Sequence, residues 1–233
     1  MKKNYFLALL SFFHFAVSAQ SEFITTWKTN NPGISEENQI TIPTYPGENY
    51  DYSVDWGDGT SDLNVVGNIT HTYASAGTYQ VSITGVFPRI YFNYETGNQW
   101  GNIVWSSMSG AFYGCANMDV NATDVPNLSN VTSVQAMFRE CSDLVGNSSF
   151  NDWDVSNVTD MGTMFFDAKE FNSPLNNWNV SNVQSFNSMF NGATKFNQPL
   201  NNWILISATF IGGMFSRASS FNQDIGNWDV SSV

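Results

Sequence analysis

One histidine, three neighbouring aspartates and two cysteines are the side chains here best suited to chemistry. His71 sits in the run His71-Thr72-Tyr73. A nucleophilic triad needs a histidine base and a strained turn presenting the nucleophile, and nothing in the chain marks such a turn. A zinc site needs His or Cys clustered at short spacing, which is absent. Asp55, Asp58 and Asp62 crowd one short stretch and could give calcium an oxygen shell, but the spacing of a helix–loop–helix calcium loop is missing. Asp next to Gly is also what a tight turn demands, so these carboxylates read first as turn formers, with calcium left open. His71 reads the same way, as a residue that bonds a turn. No catalytic, metal or cofactor-binding residues are assigned, no cofactor is called for, and the chain reads as a non-enzyme.

The elements around these residues fall into two parts, and the second announces itself by period. Trp153, Trp178, Trp203 and Trp228 stand 25 residues apart. Phe171-Asn172, Phe196-Asn197 and Phe221-Asn222 recur between them, as do Met164-Phe165, Met189-Phe190 and Met214-Phe215. Met137-Phe138 and Ala111-Phe112 extend the series backwards, with Pro126 and Trp100 at the tryptophan position. Five units therefore run from about Trp100, and a sixth opens at Trp228. The unit before Trp153 carries an insertion. A period of this size means stacked like units, each burying its apolar face on the next. The recurrent Trp, Phe and Met are then core, and the recurrent Asn residues bond the backbone of their own rung and its neighbour. Sequons such as Asn157-Val158-Thr159 follow from the repeat frame rather than marking glycosylation.

Within a rung, Val158, Met161, Met164-Phe165 and Ala168 space as the apolar stripe of a short helix, with Ser156 or Asn157 to cap it. Phe171, Ser173 and Leu175 alternate as a short strand that Pro174 closes. Stacked, such rungs predict a right-handed, leucine-rich-repeat-like α/β solenoid over 93–233. Cys115 and Cys141 occupy one equivalent position that other rungs fill with Ala168, Ala193 and Ala218. Parallel Cβ vectors on adjacent strands, or the wider spacing of adjacent helices, both oppose a bridge, so no disulfide is expected.

Residues 1–19 read as an export signal: Lys2 and Lys3, an apolar run from Phe6 to Val17, and Val17-Ser18-Ala19 before the cleavage point. His14 leaves with it. The remaining chain carries 6 Lys+Arg against 20 Asp+Glu, a net charge of −14. Such a charge repels phosphate backbones, which excludes nucleic acid as a partner, and no membrane insertion is expected after cleavage.

Residues 20–92 alternate short apolar stretches with turn residues: Phe23–Trp27, Gln39–Ile42, Tyr50–Val54 and Thr78–Ile83, divided by Asn31-Pro32-Gly33, Pro46-Gly47, Gly57-Asp58-Gly59 and Ala76-Gly77. This predicts a small β-sandwich. The blocks Val54-Asp55-Trp56-Gly57-Asp58-Gly59-Thr60, His71-Thr72-Tyr73 and Gly77-Thr78-Tyr79-Gln80-Val81-Ser82-Ile83 resemble the PKD (polycystic kidney disease) domain pattern, an Ig-like sandwich of bacterial surface and secreted proteins. Trp56 stands where that family often has Phe. The repeats, with Met-Phe, Phe-Asn-Gln, Trp and Val-Ser-Asn-Val, resemble those of bacterial surface lipoproteins and BspA-like leucine-rich-repeat surface proteins.

These resemblances imply a surface or secreted protein with an adhesive role toward a protein or glycan ligand, the repeats forming the recognition face. An accessory glycan-binding part of a polysaccharide-processing or secretion system is the alternative, to be favoured if aromatics lie on the rung surface. The closing run Trp228-Asp229-Val230-Ser231-Ser232-Val233 reads as the opening of another rung, so either a truncated gene product or a fragment of a longer surface protein is expected.

Overall fold

The computed structural model describes residues 22–30, 36–92 and 96–233. The export signal and the Asn31-Pro32-Gly33 turn lie outside the described residues. Seven strands form the first part: β1 (Phe23–Lys28), β2 (Gln39–Ile42), β3 (Asp51–Asp55), β4 (Ser61–Val65), β5 (Ile69–Thr72), β6 (Thr78–Val86) and β7 (Thr96–Gln99). One sheet runs β4-β3-β6-β1-β7 and the other pairs β2 with β5, every pair antiparallel. The alternation seen in the sequence places Phe23, Trp27, Tyr52, Val54, Val81 and Ile83 of the larger sheet and Ile40 and Ile42 of the smaller one in the core. The larger sheet takes in β7, from beyond residue 92.

From Phe87 onward the chain joins the stack without a break in the core. Arg89 bridges Ser107 in parallel, and the Phe92 amide donates to the Ala111 carbonyl at 2.8 Å. Phe23 of β1 meets Trp105 edge to face at 5.2 Å, and Phe92 meets Phe112 at 6.3 Å.

The stack is built from turns, and the α/β solenoid expectation is corrected here. No α-helix occurs among the described residues; the only helical segment is a 3-10 turn at Ser148–Asp152, within the insertion before Trp153. In the predicted helix the amides of Met164, Phe166 and Ala168 close i→i−3 turns onto Met161, Thr163 and Phe165. The amides between them, of Met161, Thr163, Phe165 and Asp167, donate instead to Ser185, Asn187, Met189 and Asn191 of the next rung at 2.8–2.9 Å. Two left-handed residues per rung, four apart, make this possible: Gly110 and Gly114, Ala136 and Glu140, Thr163 and Asp167, Ser188 and Gly192, Gly213 and Arg217. A left-handed residue ends an α-helix after one turn. An apolar spacing of three and four is shared by helices and successive turns, which is why the stripe misled.

No strand forms at Phe171–Leu175 either. Outside the turns, successive rungs meet in isolated parallel bridges, Val104 to Asn127, Ser133 to Asp160, Asp160 to Ser185 and Ser185 to Phe210, and in single backbone bonds such as Glu170 to Ser142, Lys195 to Lys169 and Ser220 to Thr194. The apolar columns are as the period requires. Trp153, Trp178, Trp203 and Trp228 stack at 6.2, 6.2 and 6.3 Å. Phe112, Phe138, Phe165, Phe190 and Phe215 stack at 5.5–5.7 Å. Met137, Met164, Met189 and Met214 are buried beside them.

Candidate binding surface

The aspartates of the sandwich are engaged by protein donors. Asp55 accepts from the Gly57 amide at 2.9 Å, and Asp62 accepts from the Trp56 indole at 2.8 Å. Asp58 takes the Thr60 amide and hydroxyl on one oxygen and meets His71 Nε2 at 2.9 Å with the other. The Thr60 hydroxyl first, and His71 next, pull the Asp58 carboxyl down to about 2. His71 lies flat on Trp56 at 4.8 Å and edge-on to Tyr73 at 4.5 Å. The structure thus ties the β3–β4 turn to β5 and does not converge these carboxylates on one point. Among the described residues no group of three His, Cys, Asp or Glu is placed to hold a metal ion.

Cys115 and Cys141 lie buried on successive rungs and are not bridged. Their thiols point to the carbonyls of Phe92 at 3.2 Å and Phe112 at 3.0 Å. Burial, with the Cys115 thiol alongside, pushes the Cys141 thiol well up. A buried thiol held protonated is a poor nucleophile.

The flanks of the stack are polar ladders. Asn157 and Asn182 reach back to the carbonyls of Ser129 and Ser156 at 2.9 and 2.8 Å. The Asn197 and Asn222 amides donate to the side chains of Asn172 and Asn197, each at 2.9 Å. The indoles of Trp178, Trp203 and Trp228 donate to Phe150, Leu175 and Leu200. The Trp153 indole finds no such acceptor.

Cations are few on the stack. Arg139, Lys169, Lys195 and Arg217 are the basic residues of 93–233, each one to five residues past the Phe of a Met-Phe pair. Arg139 lies over Phe166 at 4.6 Å and bonds Glu140 at 3.2 Å. Arg217 bonds Asp167 at 3.1 Å and Asn191 at 2.9 Å.

Two of the depressions on the described residues of the stack bear on binding. One, of about 450 Å³, is lined by Asn176, Asn177, Asn179 and Asn202 with Trp178, Val180 and Ile204. The other, of about 540 Å³ and mostly apolar, lies among Ile211, Met214, Phe215, Ile225 and Trp228. Sequence reasoning passed over the first. Its signal was the doubled asparagine before Trp178 and Trp203, Asn176-Asn177 and Asn201-Asn202.

A sandwich joined to a stack of short turn-built rungs defines a repeat protein with a long surface and one continuous apolar interior. Residues 106–228, more than half of the chain, match the family described as "Mycoplasma protein of unknown function, DUF285", and the chain belongs to that family. Residues 15–86 match the PKD domain, in keeping with the sandwich. No curated protein and no solved structure matches the chain. Among the described residues no helix is long and apolar enough to cross a membrane.

Proposed function

We propose that this chain is a non-catalytic binding protein, secreted or displayed at the cell surface, with the stack as its recognition face and the sandwich as its spacer. One observation carries the reading. The repeated aromatics are spent on the core, with Trp153, Trp178 and Trp203 at 3%, 2% and 3% exposure, while each rung turns a fresh row of Asn, Ser and Thr outward. That is a long, gently varied surface of the kind stacked repeats use for macromolecular partners. The PKD match and the basic-then-apolar start of the chain support export.

The asparagine-lined depression favours a second reading, accessory glycan binding, because amides pair with sugar hydroxyls. It lacks the flat exposed indole on which a sugar ring would stack, since Trp178 is buried. The chain without residues 1–19 is to be applied to a glycan array and to a panel of extracellular-matrix proteins. Saturable capture of a matrix protein is expected. Glycan retention that Asn179→Ala and Asn202→Ala abolish, with no protein captured, would overturn the first reading in favour of the second.

A further inference from the structure

The repeat supplies its own internal control, and one rung breaks it. The residue after the tryptophan position is Asn127, Asp154, Asn179 or Asp229, and each side chain accepts from the amide of a serine two residues on, at 3.0–3.2 Å. In the rung of Trp203 these two positions are Ile204 and Ile206. An isoleucine offers no such acceptor. The bridge position, Ser133, Asp160 and Ser185 elsewhere, is here Phe210. All three replacements face solvent, at 65%, 67% and 66% exposure. Ile204 and Phe210 lie to either side of one turn, closed by the Ala208 amide on the Leu205 carbonyl at 3.0 Å, and Ile206 lies within it.

A polar frame given up for exposed aliphatic and aromatic side chains loses local hydrogen bonding and gains nothing in the core. Exposed apolar clusters rimmed by polar groups are where partners dock. Charge selects the partner. From the tryptophan position to the bridge and just past it, 126–134, 153–161, 178–186, 203–211 and 228–233, no lysine or arginine occurs in any rung. The charged side chains on these segments are Asp154, Asp160 and Asp229, one or two rungs to either side of the patch. The serine bonds hold Asp154 and Asp229 below the ordinary carboxylate range, so they stay ionised.

We propose that Ile204, Ile206 and Phe210 form the anchor of a docking site for a protein segment that is amphipathic and cationic: an apolar face flanked by lysine or arginine. A second copy of this chain is the poorer occupant. It would bring the same acidic surface, and three side chains fall well short of the roughly 800 Å² per partner that a stable dimer buries. The inference rests on reading the stack as a recognition face and names the chemistry of its partner.

The test is titration of the full chain with a labelled amphipathic peptide of lysine and leucine, beside a lysine/serine peptide, a glutamate/leucine peptide and phosphatidylcholine vesicles. The variant Ile204→Asn, Ile206→Ser, Phe210→Ser installs the residues of the preceding rung, so it should fold with an unchanged or higher melting temperature. Saturable binding of the lysine/leucine peptide alone is expected, weakened roughly tenfold or more in the triple variant. Absent binding, binding the triple variant retains, or a preference for the glutamate/leucine peptide or the vesicles would overturn the proposal. So would a dimer that the triple variant disperses. A matrix protein captured equally by parent and triple variant would sink this inference while leaving the broader reading intact. An empty panel with intact peptide binding would do the reverse.

Discussion

At the residue scale, the left-handed positions are the most consequential. Each rung needs two, and an L residue with a side chain loses about 1–2 kcal/mol there relative to glycine's freedom. Thr163, at φ 54°, is β-branched and so the least suited. Thr163→Gly is expected to raise stability by up to about 1 kcal/mol after glycine's own entropic cost, measured by denaturant unfolding. Gly110, at φ 65° with open space around its Cβ, tests the converse: Gly110→Ala should lose about 1 kcal/mol through backbone conformation alone. Asp58 gives a pH signature. Its folded pKa, near 2, lies below the unfolded value, so its contribution is complete above about pH 4 and is lost as pH falls toward 2. Asp58→Asn should therefore lower the melting temperature at neutral pH, with the gap to the parent closing across that acidic window. A gap that persists unchanged at pH 2 would show that the carboxylate charge is not what holds the turn.

At the scale of elements, the sandwich was legible and the rung only half so. Strands over Phe23–Trp27, Gln39–Ile42 and Thr78–Ile83 could be read because alternation of apolar residues has one structural meaning. The stripe Val158, Met161, Met164-Phe165 and Ala168 has two, helix or serial turns, and periodicity cannot separate them. The glycines could have done so: Gly110, Gly114, Gly192 and Gly213 all fall on the two positions that prove left-handed. The buried columns, by contrast, follow from period alone, whatever the backbone does between them. Trp178 lies between Trp153 and Trp203 and bonds the Phe150 carbonyl. Trp178→Ala should cost about 3–5 kcal/mol, read from equilibrium unfolding. A loss below 1 kcal/mol would mean the column is not continuous core. The surface was the least legible part, since the Ile204–Phe210 departure only acquires meaning once its side chains are seen to be exposed rather than packed.

At the scale of the whole molecule, the sandwich and the stack share one apolar interior, running from Phe23 through Trp105 and Phe112 to Met214. The stack is thus anchored on a folded base. Under the proposed binding role, the flank that carries the outward amide rows is the surface on which a partner would be read. Hydrogen–deuterium exchange of the full chain, with and without a matrix protein captured from the panel, tests this most directly. The account predicts slowed exchange along 176–182 and 202–210, with the sandwich strands unchanged. Slowing confined to residues 22–92, with the stack indifferent to the partner, would contradict it.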